Sequence, residues 1–238
     1  MPLHLKAQQE AIFINVTYLR KKIEFEGLSY QPRDYEKIKS LAIHPSFFSI
    51  INQISTTEPY KEDNSLMFFT DGFKTEMGTG RNNFYCVFEN GIKVLEWKGK
   101  LGTFHTVFQA ELLELKEAII RASQGIGITK IWTDSLFSVM AVLTLIPLIN
   151  LPETCRTLLT QNRNILVRWI KVHAGYRGNE EANTLAKNAI AVGVVMKALN
   201  PRCELKQHLQ ELFVFFKWQT LCDNGSTGCS VHKVLKTA

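Results

Sequence analysis

From Ser65 onward the chain is written as short apolar runs set off by Gly, Asn and charged residues, and this succession restricts the fold more than any other feature. Residues 66–70, 84–88 and 92–97 read as three strands. Asn90-Gly91 between the last two is a tight-turn signal, because both residues accept the positive φ that a two-residue hairpin needs, so those strands should be antiparallel neighbours. The period then changes. Phe108, Leu112, Leu115, Ile119 and Ala122 recur at helical spacing after Gly102, and this helix should end near Gly125. A strand at 128–133, a helix at 135–145, a strand at 165–172 and a helix at 180–192 follow. Hairpin-linked strands followed by helix, strand, helix, strand, helix predict an α/β fold with a five-stranded mixed sheet flanked by helices.

The flanks differ in texture. Residues 1–60 begin as a helix, with Ile12, Val16, Leu19 and Ile23 at helical spacing, and then become loop-like. They are expected to form an N-terminal linking segment, residues 61–200 the α/β domain, and residues 201–238 a short tail with one apolar run at 205–218. The formal charge is +6, spread as +1 over 1–60, +3 over 61–200 and +2 over 201–238. No segment is a polycationic arm, so composition permits an anionic partner without requiring one. The N-terminus lacks the cationic-then-apolar order of a secretion signal, and the tract 136–151 is interrupted by Ser138, Thr144, Pro147 and Asn150. Secretion and membrane insertion are therefore not expected, and an intracellular protein is, with nucleus and cytoplasm undecided. Cys86, Cys155, Cys203, Cys222 and Cys229 form no CxxC pair, as thiols of a reducing compartment would. Cys222, Cys229 and His232 fit no familiar zinc spacing.

Three acidic residues fall where a mixed sheet can gather them. Asp71 lies in Thr70-Asp71-Gly72 at the expected end of the first strand, Asp134 in Thr133-Asp134-Ser135 at the end of the fourth, and Glu111 early in the intervening helix. Strands lying side by side would place the two aspartates at one sheet edge, with Glu111 leaning over it. Each has a plainer reading. Asp71-Gly72 makes a turn, Asp134 or Ser135 caps a helix, and Glu111 pairs with Lys116 or faces the helix dipole.

The order Thr-Asp-Gly, Ala-Glu-Leu, Thr-Asp-Ser, then His173 followed by Gly178-Asn179-Glu180-Glu181-Ala182 and Leu185-Ala186-Lys187, resembles the ribonuclease H family over about residues 64–195. It is most similar to the ribonuclease H domain of non-LTR retrotransposon polyproteins. Pro2-Leu3-His4-Leu5 and its helix are similar to the segment that links reverse transcriptase to that domain, and Trp218-Gln219 with Asn224-Gly225-Ser226-Thr227-Gly228 to the tail after it. The resemblance implies endonucleolytic cleavage of the RNA strand of an RNA–DNA hybrid by two Mg²⁺ ions, with Mn²⁺ as the substitute ion. Carried over, Asp71, Glu111, Asp134 and Asn183 are the metal ligands, and His173, on a Gly-containing loop, assists proton movement or product release. His173 read plainly is a surface-loop histidine. Hybrid is the implied partner, together with the reverse transcriptase segments of a parent polyprotein; no membrane is implied.

The sequence departs from the family pattern at Asn183, which stands where an acidic ligand is expected and takes the site's formal charge from −4 to −3. Phe73 and Phe137 occupy places that often carry small hydroxyl residues. Between 145 and 165 the only basic residues are Arg156 and Arg163, so a basic hybrid-gripping protrusion is missing. The alternative reading is thus a catalytically impaired nucleic-acid-binding remnant of such a domain. An integrase-like relative on the same fold fits the Gly-Asn-Glu-x-Ala segment less well.

Overall fold

The computed structural model describes residues 1–36, 49–61, 65–74, 81–144, 150–188 and 193–224. Two compact units emerge, one of Met1–Lys37 with Leu199–Ala238 and one of Ile38–Ala198. In the first, helix α1 (Leu3–Thr17) buries Leu5, Ile12 and Val16 against Leu205 and Leu209 of helix α6 (Arg202–Glu211) and Phe213 of the π-helical turn Leu212–Trp218. Leu19 does not continue the stripe. Arg20 takes φ 54° and ends the helix, leaving Leu19 exposed. The chain then makes a small antiparallel hairpin of β1 (Ile23–Phe25) and β2 (Leu28–Tyr30), whose Phe25 ring stacks on Phe213 with centroids 5.1 Å apart. Helix α7 (Gln219–Asn224) is the last described element.

The second unit is built on a mixed sheet of seven strands rather than the expected five, in the order β3-β8-β7-β4-β5-β6-β9. The five inner strands are β8 (Ile165–Trp169), β7 (Thr129–Thr133), β4 (Leu66–Lys74), β5 (Arg81–Glu89) and β6 (Ile92–Leu101). The two additional strands are two-residue edge strands, β3 (Ile54–Ser55) beside β8 and β9 (Val194–Val195) beside β6, too short to show a period in sequence. β3 is fixed by side chains instead. Gln53 Nε2 donates to the carbonyls of Leu159, Asn162 and Ile165, and buried Arg168 pairs with Glu58 and donates to the Gln53 carbonyl. The β5–β6 turn has Asn90 at φ 51° and Gly91 at φ 72°, as the Asn-Gly signal requires.

Alternation along the strands assigns the two faces. Phe68, Tyr85, Val87, Ile131 and Val167 face a core with α2 (Val107–Ala122), α3 (Leu136–Leu143) and α4 (Asn150–Gln161). Phe69, Phe84, Cys86 and Trp132 face the opposite way, toward Ala182 of α5 (Arg177–Asn188). α2 starts at a capping box in which Gln109 N donates to Thr106 Oγ1 and Thr106 N to Gln109 Oε1, both at 3.1 Å. α4 was not among the helices expected from the sequence; its Pro152 lies in the first turn, where proline costs no helical hydrogen bond, and Cys155 and Leu159, one turn apart, are fully buried. Burial pushes the Cys155 thiol up to about 12, consistent with an inert apolar filler. No described helix is long and apolar enough to cross a membrane. Cys229, His232 and the tail motif from Gly225 lie outside the described residues.

Candidate active site

The sheet register draws the two aspartates together. β4 and β7 run parallel with Thr70 opposite Thr133, so Asp71 and Asp134 are the next residues on adjacent chains. β4 does not end at Asp71 as its apolar run suggested. It continues to Lys74 against β5, with Asp71 opposite Phe84, while its pairing to β7 stops at Thr70. Asp71 thus stands at the point where one neighbouring strand has ended and the other persists, a half-buried position open to the sheet's edge.

Glu111 reaches the same place through the close approach of α2 to Gly72. A Cβ on Gly72 would lie 2.7 Å from Glu111 Cγ and 3.0 Å from its backbone N, so only glycine allows the helix to sit this low. Ser135, the N-cap of α3, accepts from Ser138 N and donates to Glu111 Oε2, to which Ser138 Oγ also donates at 3.4 Å. Burial raises the Glu111 carboxyl above its ordinary range, the Ser135 bond opposes this, and the charge of Asp134 adds to the rise.

Asp134 is anchored by α5 and β8. Its Oδ2 accepts from Asn179 Nδ2 at 3.2 Å, and its carbonyl accepts from Trp169 Nε1 at 3.0 Å. Gly178 makes this possible, since a Cβ there would lie 2.3 Å from the Phe69 ring and hold the first turn of α5 off the sheet. Burial raises the Asp134 carboxyl, while the Asn179 bond and the charge of His173 lower it. His173 is exposed at φ 53° in a loop with Gly175 at φ 81°. Asn183 is buried one turn beyond Asn179 on α5.

Ser135, Ser138, Asn179 and Gly72 therefore position the acids; Ser135 stood out in the sequence as a cap and Gly72 and Asn179 as parts of motifs, whereas Ser138 was not expected to take part. Glu114 was missed altogether. It is fully buried on α2, its Oε2 accepts a long 3.4 Å bond from Phe84 N, and its Oε1 has no hydrogen-bond partner. Burial first, then the charges of Asp71, Glu111 and Asp134, raise its carboxyl well above the ordinary range. An acid three residues after Glu111 shares its helix face, which was the available signal.

Hard carboxylate oxygens that repel one another are the donor set a divalent cation relieves, so by chemistry these residues fit Mg²⁺ or Mn²⁺. In the arrangement described, Glu111 is engaged by Ser135 and Ser138 and Asp134 by Asn179. Among the described residues no three His, Cys, Asp or Glu side chains stand together as a ready-made cluster.

The family model for RNase H matches residues 63–191, more than half of the chain. No curated protein matches the sequence. Among solved structures, the chain is similar to the foamy viral protease-reverse transcriptase in complex with RNA/DNA hybrid, at 20% identity and TM-score 0.44, over 57% of this chain and 22% of that one. The native protease-reverse transcriptase of Prototype Foamy Virus gives 19% identity and TM-score 0.44, over 58% and 23%. The solution structure of the PFV RNase H domain gives 20% identity and TM-score 0.47, over 55% of this chain and 96% of that one. The chain thus spans less than a quarter of the length of the two viral protease-reverse transcriptase chains it matches.

Proposed function

Because the chain belongs to the RNase H family, we propose that it cleaves the RNA strand of RNA–DNA hybrids, leaving 5′-phosphate and 3′-hydroxyl ends, and that it derives from a non-LTR retrotransposon. The observation that carries this reading is the convergence of Asp71 and Asp134 on adjacent strands with Glu111 seated over Gly72. Asp71, Glu111 and Asp134, with the amide of Asn183, would hold two Mg²⁺ ions, which when bound supply an activated water and charge stabilisation for the leaving 3′ oxygen. The protein's own part is orientation. Ser135 and Ser138 hold Glu111, Asn179 holds Asp134, and exposed His173 is free to carry a proton to or from the product beside Asp134.

Grip on the substrate should be weak. Arg156 is buried and donates to the carbonyls of Val142 and Thr144, and Arg163 donates to the Ser49 carbonyl at 2.6 Å, so both guanidinium groups already serve the fold. We assign the missing affinity to reverse transcriptase segments of a parent polyprotein. The deciding assay is cleavage of a labelled hybrid in Mg²⁺ and in Mn²⁺ by the wild type beside Asp71→Asn. Cleavage by the wild type alone is expected; an intact hybrid with both proteins and both ions would leave the second reading, a silent hybrid-binding remnant, which Asn183 favours.

A further inference from the structure

Four polar atoms beneath α2 are buried without a hydrogen-bond partner: Glu114 Oε1, both side-chain atoms of Asn83, and Thr70 Oγ1. All three residues have 0% exposure. Thr70 and Asn83 share the α2 face of the sheet, since Phe68 and Tyr85, two residues away on the same strands, pack against Leu112 and Leu115. Asn83 lies opposite Gly72, the residue over which Glu111 sits, and Phe84, whose N–H donates to Glu114, lies opposite Asp71. Glu114 is therefore tied to the backbone directly across from Asp71 and lies one helical turn from Glu111. Buried polar groups are nearly always satisfied, and a carboxyl left half-bonded across from Asp71 and one turn from Glu111 has an oxygen open to a positive partner.

We propose that Glu114 is the fourth carboxylate of the divalent-cation site, entering from the α2 side of the sheet in place of the acid that Asn183 lacks on the α5 side, with Asn83 as its buried oxygen-bearing neighbour. The proposal rests on the reading of Asp71, Glu111 and Asp134 as ion-holding residues. It accounts for two features at once. A buried acid with an unused oxygen gains a partner, and the carboxylate count returns to four although Asn183 is neutral. Glu114 has little to give up, because its single bond to Phe84 is long.

The test is Mn²⁺ binding by titration calorimetry on the full chain without nucleic acid. Glu114→Gln, which keeps the shape and removes the charge, should weaken Mn²⁺ binding at least tenfold, and adding Asn183→Asp to it should restore most of the loss. Glu114→Met, of equal reach and without oxygen, serves if the Gln variant does not fold, and melting without metal confirms that each variant is native. Wild-type Mn²⁺ affinity in a folded Glu114 variant, or no recovery on adding Asn183→Asp, overturns the proposal. Asp71→Asn separates two failures: binding lost there but intact in Glu114→Gln refutes only the role of Glu114. Binding intact in both refutes the site itself.

Discussion

Glu114 gives the fold an unusual dependence on pH that one substitution should remove. An acid held above its ordinary value in the folded chain keeps a proton that the unfolded chain has already released. Above about pH 4.5 the native state then binds more protons than the unfolded state, so stability falls as pH rises until the folded group itself ionises. The slope is about 1.4 kcal/mol per pH unit for each such proton. Three acids of this site are raised, Glu111, Asp134 and Glu114, and Glu114 alone is completely enclosed. With about 2–4 °C of melting temperature per kcal/mol for a domain of this size, Glu114→Gln should remove about 3–5 °C per pH unit from the decline. Scanning calorimetry in chelator between about pH 3.5 and pH 7 reads it directly. The variant should match the wild type at the acid end, where Glu114 is protonated both folded and unfolded, and melt increasingly above it as pH rises beyond about 4.5. Parallel curves across that range would show that Glu114 is not a protonated buried acid, and the reasoning from its burial would fail.

Other substitutions test the scaffold that aims the acids. Gly178→Ala should drive the first turn of α5 off Phe69, costing about 1–3 kcal/mol by thermal melting and lowering hybrid cleavage as Asn179 leaves Asp134; an unchanged melting temperature would contradict the packing. Ser135→Ala removes the α3 cap, worth about 0.5–2 kcal/mol, and the donor that keeps Glu111 from rising further. On the proposed reading, in which cleavage uses an ionised Glu111, the acid limb of the pH–rate profile should move to higher pH. Hybrid binding by Asp71→Asn, followed by anisotropy, should show a log–log salt slope no steeper than about −3, because Arg156 and Arg163 are occupied internally. A slope twice as steep would refute the inference that internal use of Arg156 and Arg163 leaves the grip weak.

Much of the sheet was legible because local chemistry writes it plainly. Asn90-Gly91 can make its turn whatever lies around it, and the apolar stripe of α2 repeats often enough to be read. The edge strands β3 and β9 and helix α4 were not. Two residues carry no period, β3 is held by bonds that join Gln53, just before it, to Leu159 and Arg168 far along the chain, and Pro152 breaks a helix or begins one depending only on where the first turn falls. The candidate site divides the same way. Asp71, Glu111 and Asp134 were found by their order along the chain, whereas Glu114 passed as one more charge on an amphipathic helix.

What the sequence determined by itself is the set of acids and the family: residue order and turn chemistry are local properties, preserved in any conformation. What only the tertiary structure decided is their company. The register of β4 on β7 sets Asp71 beside Asp134, glycines at 72 and 178 let α2 and α5 come close enough to deliver Glu111 and Asn179, and the depth of α2 on the sheet turns Glu114 inward. Burial and proximity are sums over residues far apart in the chain, and they govern whether a carboxyl is a solvated surface charge or an enclosed acid held above its ordinary range.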